Sequence, residues 1–117
     1  MDETERKLEE ANLAFSSEEY SRALDILKPL VESSIPGALG MLGFAYQLGL
    51  GVTRDGQKAV ELLLKAVELG DGTAAHNLGT IYVTGMPGVE ANRELSKKFY
   101  RKAKEMGSQF AHDSFYD

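Results

Sequence analysis

Apolar residues recur along the chain in stripes at three- and four-residue spacing, and each stripe ends at a glycine or a polar turn. That period belongs to a helix with one face against a core. Leu8, Ala11 and Phe15 make the first stripe; Tyr20, Ala23, Leu24 and Leu27 make the second. Between them Ser16-Ser17-Glu18-Glu19 fits a capping box, with Ser16 accepting from the Glu19 N–H and Glu19 reaching back. Ser34-Ile35-Pro36-Gly37 breaks the second helix and sets Pro36 near the start of the third. The third helix, over 38–48, carries Leu39, Leu42, Ala45 with Tyr46, and Leu48, and Gly49-Leu50-Gly51 stops it. A fourth starts at Asp55, whose carboxylate suits an N-cap, runs through Ala59, Leu62, Leu63, Ala66 and Leu69, and ends at Gly70. A later one starts at Asn92, buries Phe99, Tyr100, Ala103 and Met106, and ends at Gly107. No alternating apolar run of useful length occurs, so the expected class is all-α.

Two of these stretches are nearly the same phrase. LGFAYQLGLGV begins at Leu42, and LGTIYVTGMPGV begins at Leu78. Leu42-Gly43, Tyr46 and Gly49 match Leu78-Gly79, Tyr82 and Gly85 at an offset of 36. After one inserted residue the offset is 37, which pairs Gly51-Val52 with Gly88-Val89, Ala66 with Ala103, Gly70 with Gly107, and Ala74 with Ala111. A fixed period in this range marks a solenoid whose units bury their faces against one another. Gly43 and Gly79 sit inside helices, where glycine is unfavourable, so a partner helix is expected to cross closely at each, with Gly40 doing the same one turn earlier.

The order Ala38, Leu42, Gly43, Tyr46, Gly49, Gly51, Val52, Asp55, Lys58, Ala59 resembles the Sel-one-like repeat, a relative of the tetratricopeptide repeat. Ala66 and Gly70 take that family's closing positions. The second copy keeps Ala74, Leu78, Gly79, Tyr82, Gly85, Gly88, Val89, Ala103 and Gly107. It departs at Asn92, Leu95 and Ser96, where Asp, Lys and Ala would stand. The resemblance covers residues 37–107, and residues 1–36 look more like a tetratricopeptide-type pair. It implies a right-handed α–α solenoid of antiparallel helix pairs, here about three pairs and a C-terminal partial cap. The units would be 1–36, 37–71, 72–108 and 109–117 of a single domain. It also implies a concave side lined by the first helix of each pair that binds a peptide or protein. Members act as adaptors, and a cysteine-rich secreted branch is linked to β-lactam binding; this chain has no cysteine.

Charge narrows the partners. The net charge is −5, and residues 1–36 hold nine acids against four bases. Phosphate backbones are held by Lys and Arg, so nucleic acid is not expected. No apolar run is long enough to span a bilayer, and the acidic N-terminus leads into no apolar stretch, so no membrane and a cytoplasmic location are expected. A basic stripe at four-residue spacing, Arg93, Lys97 and Arg101, reads as the solvated outer face of its helix.

No metal, cofactor or catalytic site is expected. His76 and His112 are the only histidines and do not fall at equivalent repeat positions. Asp113 stands one repeat beyond His76, so a His–Asp hydrogen bond across the groove is conceivable, as structure and not as catalysis. Gly49-Leu50-Gly51 follows a helix, and a dinucleotide loop follows a strand.

The candidate site is therefore the groove, at the positions beside the buried stripes. These are Phe44, Gln47 and Leu48 in the third helix and His76, Asn77, Thr80 and Val83 in the fifth. In the first helix they are Arg6, Glu9 and Leu13. Apolar anchors mixed with hydrogen-bonding groups suit recognition of a protein or peptide. The expected function is a non-enzymatic, monomeric protein-binding adaptor or inhibitor. Competing readings are an immunity-type inhibitor of an effector enzyme, a module that dimerises through its C-terminal edge at 109–117, and a small-molecule-binding or hydrolytic protein using His76 and Asp113.

Overall fold

Asp2 opens the first helix by accepting the Glu5 N–H at 2.8 Å, which satisfies one of the free donors of the first turn. The same device recurs down the chain of this computed structural model, which describes residues 2–108. Asp55 accepts from Lys58 N–H, Asp71 from Thr73 and Ala74, and Asn92 from Leu95. The helices are α1 (Glu3–Ser16), α2 (Tyr20–Glu32), α3 (Pro36–Leu48), α4 (Gly56–Glu68), α5 (Gly72–Thr84) and α6 (Arg93–Glu105). Among the described residues the only extended pairing is an isolated bridge between Met86 and Val89.

The capping box expected at Ser16–Glu19 is not formed. Ser16 is the last residue of α1, and the Glu19 N–H bonds the Ala14 carbonyl at 2.8 Å. Backbone closure of the turn takes up the donor that a serine side chain would have capped. Leu69 also departs from expectation, since α4 ends at Glu68 and Leu69 is exposed.

Successive helices form three pairs, α1/α2, α3/α4 and α5/α6, and the pairs stack in order. The first helices touch along the stack, α1 on α3 and α3 on α5, whereas α2, α4 and α6 do not touch one another among the described residues. Packing the inner helices side by side while the outer ones part curves the stack, with α1, α3 and α5 on the inside.

The long turns within the two glycine-rich pairs close in the same way. Asp55 N–H donates to Tyr46 O at 3.0 Å, and Asn92 N–H donates to Tyr82 O at 2.9 Å. The repeated tyrosines and caps are thus the two ends of one repeated hydrogen bond. After each second helix the chain takes a left-handed residue: Gly70 at φ 102°, Gly107 at 77°, and Ser34 at 54°. Serine occupies in the first pair a conformation that glycine adopts without steric cost in the others.

The interior glycines are sites of close approach. A Cβ on Gly43 would lie 2.8 Å from Leu63 Cγ, and one on Gly79 would lie 2.5 Å from the Tyr100 ring. Gly40 serves a different purpose from the helix crossing expected of it, because it leaves room for the Asp71 carboxylate. The core forms two clusters. One joins Ala11, Leu27, Leu30 and Ala38; the larger joins Leu39, Leu63, Leu78, Ile81, Phe99 and their neighbours. Val31 packs against both.

Candidate functional site: the open face of the inner helices

Helix α3 has neighbours on most sides, with α1, α2, α4 and α5 all touching it. Its sequence answers with small or apolar residues almost throughout, and only two of its side chains are exposed. These are Phe44 (37%) and Leu48 (50%), one turn apart on the side that no described helix covers. Gly37 and Met41, both half-buried, continue the row toward the N-terminal end of α3. The corresponding row of α5 is Thr73, Asn77, Thr80 and Thr84, of which only Asn77 is half-buried. In α1 the exposed residues Glu5, Glu9, Asn12 and Ser16 have the same spacing. Neither α3 nor α5 contains a single charged residue.

Polar groups on this face are held in place. Thr80 Oγ–H donates to His76 O at 3.2 Å and lies 3.1 Å from the Tyr100 hydroxyl. His76 is half-buried, its ring 5.4 Å from that of Tyr100 and tilted against it. Burial lowers the His76 pKa below its ordinary value. Asp71 is shifted the other way. Desolvation raises its carboxyl above the usual range, against the lowering effect of the Ala74 and Thr73 N–H groups.

The expected groove residues do not form one surface. Phe44, Leu48, Asn77, Thr80 and Glu9 lie along the open rows. Gln47 does not: it is 7% exposed, and its Oε1 is buried with no hydrogen-bond partner among the described residues. Periodicity placed it beside the stripe, but the pair that follows α3 covers that side. Leu13 and Val83 are exposed, outside these rows. Arg6 is engaged by Glu3 and Glu10 at 2.6 and 2.7 Å. Met41 and Thr84 belong to the rows and were missed; the offset from Leu48 to Thr84 is the signal that finds the latter.

Asp113, His112 and the C-terminal edge at 109–117 lie outside the described residues. Among those described, no three His, Asp or Glu side chains gather to hold a metal ion, and no helix is long and apolar enough to cross a membrane. The bases Arg93, Lys98, Arg101 and Lys102 are exposed on α6, an outer helix.

Two clefts open where the outer helices part. One is walled by Gln57, Val60 and Glu61 over Tyr82 and Val89; the other is walled by Leu24 and Val31 over Leu42 and Val52. Val52 and Val89 are matched positions, so the clefts are one feature of the repeat seen twice. Gly56 shapes the first of them, since a Cβ there would meet Pro87 O at 2.6 Å.

The departures of the second copy have structural roles. Asn92 caps as Asp55 does, Leu95 packs against the larger core, and the buried Ser96 hydroxyl donates to Gly79 O at 2.9 Å.

The family model for the Sel1 repeat matches residues 36–71 and 72–108. A rat protein, "DAP3-binding cell death enhancer 1", is 31% identical over 100 residues, which span 86% of this chain and 19% of that protein. The Sel1 repeat protein of Oxalobacter formigenes superposes with a TM-score of 0.73 at 31% identity, over 85% of this chain and 39% of the other. The protective antigen c5321 of uropathogenic Escherichia coli, which displays an SLR fold, superposes with a TM-score of 0.79 at 26% identity, over 90% of this chain and 23% of the other.

Proposed function

Because the chain belongs to the Sel1 repeat family, we propose that it is a non-enzymatic interaction module whose open inner face receives a segment of another protein. Sel1 repeat proteins mediate protein–protein interaction. The observation that carries the reading here is that α3, packed by four helices, leaves Phe44 and Leu48 exposed side by side. An aromatic and an aliphatic side chain on a rigid helix are the kind of anchors that dominate binding energy when a partner desolvates them. Beside them Asn77 supplies a hydrogen-bonding group without charge. The rat relative is named for binding a protein, which agrees with a protein partner for this chain as well. The chain spans about a fifth of that relative's length, so the shared part is the repeat module.

In this reading the module works as a cytoplasmic monomer, an adaptor or an inhibitor according to what it holds. His76 packs on Tyr100, and the Thr80 hydroxyl is committed to His76 O and Tyr100. These groups orient the face and do not act on a substrate. The test is capture from native extract by wild type and by Phe44→Ala/Leu48→Ala, with folding checked by circular dichroism. A partner retained by wild type and lost from the double variant supports the inner face. A partner held equally by both puts recognition on the outer helices and removes this reading.

A further inference from the structure

The inner face has a direction, and it follows from where its charges stop. Helices α3 and α5 carry none. The one acid at their ends, Asp71, turns its carboxylate into the N–H groups of Thr73 and Ala74 and is half-buried against Gly40. Helix α1 is different. Both its bases lie near Glu3, Arg6 at 2.6 Å and Lys7 at 3.8 Å, and Arg6 also pairs with Glu10. That leaves Glu5 and Glu9 exposed and without an ion pair among the described residues, in the row that continues the face past Phe44 and Leu48.

We propose that the segment received by this face has an apolar centre, seated on Phe44 and Leu48, and a Lys- or Arg-bearing flank directed over α1 toward Glu5 and Glu9. This rests on the interaction reading above and adds the chemistry and polarity of the partner. The distances set the limits. Neighbouring helix axes lie about 8–10 Å apart, and charges in physiological salt are screened over about 8 Å. The α1 carboxylates therefore act on a ligand lying over α1 and the near edge of α3, not on one over α5. The basic residues must sit within roughly one helix width of the apolar anchors, on one side only. A cluster of bases in place of the apolar centre would lose the anchors, and an acidic flank would be repelled. An anionic membrane surface is disfavoured for the same reason.

The experiment uses a random peptide library selected on the full chain, followed by anisotropy titration of a selected peptide. The chains compared are wild type, Phe44→Ala/Leu48→Ala, Glu5→Gln/Glu9→Gln and Glu5→Lys/Glu9→Lys. All four altered positions are exposed, so the variants keep the fold, and circular dichroism checks this. Selected peptides are expected to combine apolar residues with a basic flank. Neutralising both acids should weaken binding roughly fivefold, the scale of two exposed ion pairs. Charge reversal should weaken it further, and the wild-type affinity should fall as salt is raised. Peptides that need Phe44 and Leu48 but show no basic flank and ignore both acid variants would overturn this inference while leaving the interaction reading in place. Peptides indifferent to all three variants would overturn both. A selection that enriches nothing would overturn the idea that the face takes a linear segment.

Discussion

Gln47 and Val83 occupy the same position in successive repeats, yet Gln47 is 7% exposed and Val83 is 54% exposed. Their neighbours in the two helices agree: Leu39 and Ala75, Gly43 and Gly79, and Ala45 and Ile81 are buried in both, while Phe44 and Thr80 are exposed in both. The change from buried to exposed falls at Gln47 and Val83 alone among the matched positions of α3 and α5. A polar amide therefore lies where an aliphatic residue would pack.

Replacing Gln47 by leucine should stabilise the protein. The Gln47 Oε1 is buried with no hydrogen-bond partner among the described residues, and an unmet acceptor of this kind costs about 1–3 kcal/mol. Thermal denaturation of Gln47→Leu should show a rise of several degrees. Gln47→Ala should fall below wild type, because it leaves a cavity.

Ser34→Gly should also stabilise. Ser34 holds φ 54° where Gly70 and Gly107 close the later pairs. Relief of the left-handed strain is worth about 1 kcal/mol, and chemical denaturation should report it as a higher midpoint with an unchanged slope.

Gly79→Ala reverses the usual preference for alanine within a helix. The new methyl would meet the Tyr100 ring at 2.5 Å, so a substitution that ordinarily gains about 1 kcal/mol should instead cost about 1–3 kcal/mol. Trimming the ring should relieve the clash. A double-mutant cycle of Gly79→Ala with Tyr100→Ala should show coupling, and simple additivity would contradict the contact.

Asp71 separates capping from charge. Asp71→Ala loses the acceptor for Thr73 and Ala74 and should cost about 1 kcal/mol at neutral pH. Asp71→Asn keeps that acceptor and should cost less. Burial raises the Asp71 carboxyl, so the folded chain binds this proton at a pH where the unfolded chain has released it. Stability from this group rises as pH falls through the folded value toward the ordinary carboxylate range. Wild type should therefore gain on Asp71→Asn on acidification, and a gap that stays flat between neutral and acid pH would contradict the shift.

Helix boundaries are legible where a cap or a stop acts locally. Asp55 and Asn92 start helices through their own side chains, Gly49 ends one through backbone freedom, and these three read correctly; Gly70 takes its left-handed turn one residue beyond the cap, Leu69. Ser16 misleads because the sequence of a capping box does not show that the preceding helix reaches its first residue, where the backbone bond from Glu19 N–H to Ala14 O takes the place of the side-chain cap. The face of the inner helices is legible to one level and no further. Periodicity distinguishes the side toward the partner helix from the other sides, and Phe44 and Leu48 follow from that. It does not distinguish the side toward the next repeat from the side toward solvent, and Gln47 falls in the difference. Gly40 is misread for a related reason: its close neighbour is a carboxylate 31 residues away in sequence, across an inter-repeat turn.

The smaller core cluster joins α1 and α2 to the start of α3 through Ala38, and Val31 links it to the larger one, so the α1/α2 pair docks on the stack through few buried side chains. The inner face is assembled only while that pair is docked. A segment lying across α1 and α3 therefore works as a splint, because it binds the docked arrangement and not the parted one. Occupancy of the face would then appear far from the contacts, as slower amide exchange along α2.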